Sequence, residues 1–343
     1  MISNFNKINW IKGLDSLRFI LALTVLLSHL HVTEILSSSD SIFLKLLKPL
    51  IGNAFVGVAA VIAFFVISGI VIHLPYKGKT KVEQPVSYLL RRYLRIGIPM
   101  IAVIVFAFVF NLKVEIFPFW SLYCELFYYT IFPLLLLAIR KYGIDKVLII
   151  SFILSYILVL VFSNNLSDFI HQNKIYDGNY WQLGVLKTCI VGLPCWLLGV
   201  KIAEELNTIN KQSISSRKVY LIRLCVFIAA FTCSVARFHL SLSYLLSLNL
   251  FAILAYYWIK SEIIFWKDRK PIRFLENVGK WSYSLYLCHA LGIVMITHIF
   301  SDRAFTFYML LLQLISSLII SYIFYLLVEK PGHQLVRKIK LRF

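Results

Sequence analysis

Apolar stretches of about 20 residues alternate along the chain with short connections dense in charge. At 1.5 Å per helical residue, stretches of that length match a bilayer hydrocarbon core of about 30 Å. Backbone groups in hydrocarbon must satisfy one another, so each stretch is expected to be a helix. The pattern predicts ten spans, at about 14–33, 52–74, 93–111, 117–139, 147–163, 184–203, 219–236, 241–259, 281–299 and 305–328. The connections are too short for a soluble domain and no internal repeat is visible. The expected architecture is all-α: one polytopic membrane domain, a single bundle over residues 1–343.

Composition agrees: 60% of residues are hydrophobic, 15% are charged, and the mean hydropathy is +0.80. A soluble domain this apolar could not cover its surface with polar groups. The net charge of +19 raises the question of nucleic acid, and its distribution answers it. If the N-terminus is cytoplasmic, alternate connections place 28 of the 35 Lys and Arg residues on that side. This is the positive-inside bias of a membrane protein, with both termini cytoplasmic and no nucleic-acid partner. Lys7 and Lys12 precede the first apolar run as in a signal peptide, but Asp15 and Arg18 interrupt its start. The first span is therefore expected to remain uncleaved. All six cysteines lie in apolar stretches without a CxxC pair, and read as core fillers rather than disulfide or metal ligands.

Ionisable groups at bilayer depth are costly and mark candidate sites. Arg18 and His29 are eleven residues apart, which is about 1100° of helix and about 16 Å of rise, so both face one side of the first span. The structural alternative has Arg18 snorkelling to headgroups and His29 making one interhelical hydrogen bond. Glu125 follows Pro118 by two turns and is expected at a depth similar to His29, where the two could work as base and partner. A structural Glu–Arg or Glu–Tyr pair is the alternative. Arg91, Arg92 and Arg95 enter the third span together and could clamp phosphates, or anchor the helix on anionic lipid. Ser68 and Gly69, and His289 with Tyr283 and Tyr286 nearby, are weaker signals. His73, His298 and Glu329 fall at span ends, and His31 points away from the Arg18–His29 face; none of these calls for a special role.

Several blocks together resemble the membrane-bound acyltransferase 3 family, which includes bacterial O-acetyltransferases of surface polysaccharides. GLDSLRFILALTVLLSH is similar to its opening Arg-and-His signature, and FFVISGIVI and LLRRYLRIGIP to its second and third blocks. FWSLYCELFYYTIFPLL and VGKWSYSLYLCHALG resemble later blocks, and VEKP resembles the exit from the last span. The resemblance covers most of the chain in order, although the segment between Pro99 and Trp120 is short for the family.

The resemblance implies an O-acyltransferase of the bacterial cytoplasmic (inner) membrane. It would take an acyl group from acyl-CoA, commonly acetyl-CoA, to a hydroxyl of a sugar, cell-surface polysaccharide or lipid-linked glycan. It marks Arg18 and His29 as essential, Arg91, Arg92 and Arg95 as the donor-side cluster, and Glu125 as a site residue. Trp120, Ser68, Tyr286 and His289, in the same blocks, are candidates for the substrate site. Neither a tightly bound cofactor nor a metal is expected; acyl-CoA is a co-substrate, and membrane lipids surround the protein. Other classes open at this point are a transporter or flippase coupling protons through buried His and Glu, and a lipid-binding scaffold. Against the transporter class, the sequence shows no inverted repeat and no paired Gly/Pro-broken helices, and a scaffold would not explain His and Glu at matched depth.

Overall fold

In the computed structural model, residues 11–30, 32, 41–110, 112, 118–173, 178–300 and 306–338 are described. Among them there is no strand. The helices are α1 (Leu14–His29), α2 (Ile42–Ala54), α3 (Gly57–His73), α4 (Pro85–Val109), α5 (Phe119–Tyr142), α6 (Ile144–Phe162) and α7 (Asn165–His171). They continue with α8 (Val185–Ile209), α9 (Ser216–His239), α10 (Tyr244–Lys267), α11 (Arg273–Gly279), α12 (Ser282–Ile299), α13 (Phe307–Phe324) and α14 (Lys330–Lys338). Nine helical segments among the described residues are long and apolar enough to cross a membrane. α1, which covers the first expected span, has 16 residues and falls short of that length. It packs against α3, α11 and α12 inside the bundle, so its ends need not reach the bilayer surfaces. His31 and both chain ends lie outside the described residues.

Hydropathy located every span but truncated several helices. α8 runs to Ile209 and α10 to Lys267, well past the expected ends at 203 and 259. The added turns are charged, and they persist because the charges pair across helices. Glu205 on α8 accepts from Lys260 (2.7 Å) and Tyr256 (2.6 Å) on α10 and lies 3.3 Å from Lys201. Glu204 takes Arg140 of α5 at 2.9 Å and also holds His73 of α3. His73 is thus accounted for structurally. α4 begins at Pro85, eight residues early, where the proline's missing N–H and fixed φ suit a first turn. Arg91, Arg92 and Arg95 therefore lie two to three turns inside a helix rather than at its mouth. At the other extreme, α1 stops at His29 because Leu30 turns extended (ψ 140°). Residues 42–51, expected as connection, form most of α2, whose Ile42, Phe43 and Leu50 are exposed.

The centre of the bundle is a close crossing of α3 and α8. A Cβ on Gly69 would lie 2.1 Å from the Trp196 carbonyl oxygen, and one on Gly199 would lie 1.9 Å from that of Val66. Only glycine permits that approach, the expected use of small residues between membrane helices. At the start of α1, Glu276 of α11 accepts from the Ser16 N–H (3.0 Å) and hydroxyl (2.5 Å). This satisfies a free donor of the first turn and puts a carboxylate at the positive end of the helix. Four of the six cysteines are fully buried and all six are free thiols; Cys225 is exposed on α9 and fills no core.

Candidate active site

Six membrane helices surround a cavity of about 100 Å³ at the end of the bundle where α1 and α4 begin and α13 ends. Its charged walls are Arg18 (α1), Arg92 and Arg95 (α4), Glu125 (α5) and Glu329, in the π-helical turn Tyr325–Glu329 that ends α13; His333 of α14 joins them. Ser68, Ser121, Tyr129, Tyr283 and Tyr286 supply neutral polar groups, and Phe64, Phe65, Ile67 and Ile96 supply apolar ones.

Helical periodicity explains the selection. Arg92 and Arg95 are three apart, so both face the cavity with Ile96. Arg91 is about 100° away; it is exposed, and its Nε donates to the Ser87 carbonyl (3.1 Å). The expected cluster of three is therefore a pair joined by Arg18 across the cavity. Arg92 lies 5.9 Å from the Tyr88 ring. Among the described residues neither Arg92 nor Arg95 has a carboxylate within 4.0 Å. Arg18 is 3.6 Å from Asp15 on its own helix.

The acids are held by neutral donors. Glu125 accepts from Tyr129 at 3.1 Å; Tyr129 meets Ser68 at 3.3 Å, and Ser68 accepts from Trp196 at 3.3 Å. Glu329 is only 2% exposed and accepts from the Ser284 N–H (3.1 Å) and hydroxyl. Three guanidinium groups and two carboxyl groups thus share the walls with His333.

His29 is not in the cavity. It is the last residue of α1, exposed, with Nδ1 2.8 Å from the Val25 carbonyl oxygen. Its ring faces His289 of α12, with centroids 4.9 Å apart and planes tilted by 50°. His289 is completely buried, its Nδ1 lies 2.8 Å from the Tyr286 carbonyl oxygen, and its Nε2 has no partner among the described residues. The expected pairing of His29 with Glu125 is replaced by this pairing with His289; His29 and Glu125 make separate contacts. One turn of α12 links the two regions, because Tyr286 lines the cavity, bonded through its hydroxyl to Ser121 (2.6 Å), while His289 is three residues further on. Trp120 stands apart from both. It stacks on Tyr180 (5.6 Å) and packs near Phe65 and Trp181.

Sequence reasoning missed Glu329 and His333. Glu329 looked interfacial because it follows the last apolar run, but the π turn carries it into the cavity, with His333 one turn beyond and 3.9 Å away. The signal was present in their i, i+4 spacing.

The chain matches a family profile described as "Acyltransferase domain" over residues 11–326 of 343. It belongs to the acyltransferase 3 family. No curated relative and no solved structure matches it. Membership makes the protein a membrane acyltransferase and favours that class over the transporter alternative. Every block that carried the resemblance contributes to the cavity or to the histidine pair: Arg18 and His29, Ser68, Arg92 and Arg95, Glu125, then Tyr286, His289 and Glu329.

Proposed function

We propose that this acyltransferase takes its acyl group from acyl-CoA, acetyl-CoA being the first candidate, and passes it to a hydroxyl of a sugar or lipid-linked glycan. The observation that carries the reading is the pair Arg92 and Arg95, which face the cavity with no carboxylate within 4.0 Å among the described residues. Guanidinium groups held this way suit phosphate oxygens, which they bind bidentately. The positive-inside bias supports a cytoplasmic position for that end, where acyl-CoA is found.

In this reading the donor's thioester extends from the arginines toward Tyr286 and the histidine pair. The acceptor hydroxyl attacks the thioester carbonyl and its proton passes to a histidine; the carbon–sulfur bond breaks and CoA leaves as thiolate. With Nδ1–H donated to the Val25 carbonyl, His29 keeps its Nε2 lone pair for that proton. His289, bonded through Nδ1 in the same manner, presents a second Nε2 beside it. The exposure of His29 suits a bulky acceptor that does not enter the bundle. Glu125 and Glu329 balance the arginines when the donor is absent.

The experiment is CoA release from acetyl-CoA by the purified protein in nanodiscs, with wild type compared against the Arg92→Ala/Arg95→Ala variant. Saturable release by wild type, with a much higher apparent KM in the variant, supports the reading. A protein that neither binds nor cleaves acyl-CoA requires another donor.

A further inference from the structure

A second cavity, of about 390 Å³, lies between α1, α3, α9 and α10, on a different face of α1 from the ionic one. Its walls are almost wholly apolar. α3 offers only alanines beyond Val56 (Ala59, Ala60 and Ala63), and Ala230 faces them from α9, so small side chains create the hollow. It follows α1 from Gly13 to Thr24, about 16 Å, and α10 from Phe251 to Trp266, about 22 Å. One leaflet of hydrocarbon is about 15 Å deep, half the bilayer core. Ile20, Phe227 and Ile272 on its rim are 46%, 52% and 58% exposed, so the hollow is a groove open to the surrounding bilayer.

One end of the groove is polar. The Glu262 carboxylate accepts from Arg223 Nε (2.7 Å) and Nη2 (2.8 Å) and from the indole N–H groups of Trp258 and Trp266 (3.0 Å each). Four donors saturate the acid, whose side chain is 8% exposed, while that of Arg223 remains 34% exposed. Residues 211–223 and 260–280, which carry this end of α9, α10 and α11, hold ten Lys and Arg against three Asp and Glu. Two tryptophans beside a basic surface are the signature of a headgroup layer.

We propose that the groove binds one acyl chain of an anionic phospholipid, with its phosphate at Arg223 and the basic residues around it. The length of one leaflet, the opening toward lipid, the small-residue floor and the basic, tryptophan-marked end all fit that occupant. The packing supplies a role. α9 packs mainly on α10 and α2, and the groove separates it from α1 and α3. A bound chain fills that gap and holds α9 to the bundle.

The inference does not depend on the donor or acceptor of the transferase. To test it, wild type and Ala230→Trp, which fills the groove from the half-buried face of α9, are purified and examined by native mass spectrometry. Both are also melted in nanodiscs of phosphatidylglycerol and of phosphatidylcholine. Wild type should retain one phospholipid and melt several degrees higher in phosphatidylglycerol. Ala230→Trp should retain none and melt alike in both. Should Ala230→Trp not fold, Thr24→Phe fills the groove from α1 and takes its place. Equal melting of wild type in the two lipids, retention of lipid by the filled variant, or displacement of the lipid by a polyprenyl phosphate would overturn the proposal.

Discussion

His29 and His289 face each other across α1 and α12 with ring centroids 4.9 Å apart, one exposed and the other completely buried. Each uses Nδ1 on a backbone carbonyl of its own helix, so the orientation of both rings is set before any substrate arrives. In the proposed mechanism they form one proton-handling unit, and His29 is the member open to an acceptor.

That unit makes a prediction about additivity. His29→Ala should abolish transfer, His289→Ala should cost most of it, and the double variant should be little worse than His29→Ala alone, since residues acting together are non-additive. Steady-state kinetics on the four proteins, with melting temperatures as a folding control, decide the matter. Glu125→Gln acts at a different contact and should worsen the residual rate of His289→Ala by its own full factor. Additive losses from the two histidines would break the unit apart.

Arg91 and Arg92 are adjacent in sequence and differ in what they face. A charge-assisted contact to phosphate contributes about 1.5–3 kcal/mol, so Arg92→Ala or Arg95→Ala should raise the apparent KM for the donor about tenfold or more. Arg91→Ala, outside the cavity, should leave it within about twofold, as expected for an exposed charge. Donor titrations on the three single variants separate the outcomes. An unchanged donor KM in all three variants would return the arginines to the role of lipid anchors.

Ten passes and the 28-to-7 division of Lys and Arg predict both termini on the cytoplasmic side. Reporter fusions placed between α4 and α5 and after residue 338 should then report opposite sides. The same side at both points would mean that one of the seven passes between them, from α5 to α13, does not cross.

The crossing of α3 and α8 predicts a stability effect without a catalytic cause. A Cβ at Gly199 would meet backbone at 1.9 Å, which only separation of the helices can relieve. Gly199→Ala should cost about 1–3 kcal/mol, typical of overpacking, and appear as a lower melting temperature in detergent. The corresponding change at Gly97, where nothing lies within 4 Å of an added Cβ, should be nearly neutral.

The spans were legible because hydrocarbon imposes length and composition on every helix that crosses it. Helix ends were less so: the last turns of α8 and α10 are charged, and hydropathy cannot see that Glu204 and Glu205 find partners on α3, α5 and α10. Arg18, Ser68, Arg92, Arg95, Glu125 and Tyr286 were legible as costly or conspicuous groups, and the fold gathers them in one cavity. Partnership was not legible. Depth alone matched His29 to Glu125, whereas the angular position of α12 against α1 gives it His289 instead. Glu329 was passed over because its place in the cavity depends on a π turn that no hydrophobic pattern encodes.

The most direct test of the account is incorporation of label from [¹⁴C]acetyl-CoA into native membranes, which contain the acceptor whatever its identity. Membranes with the wild-type protein should accumulate labelled glycan or glycolipid. Membranes with equal amounts of folded His29→Ala protein should show only background. Equal incorporation by the two would contradict the account, because it would remove from the chemistry the residue at which donor and acceptor are proposed to meet.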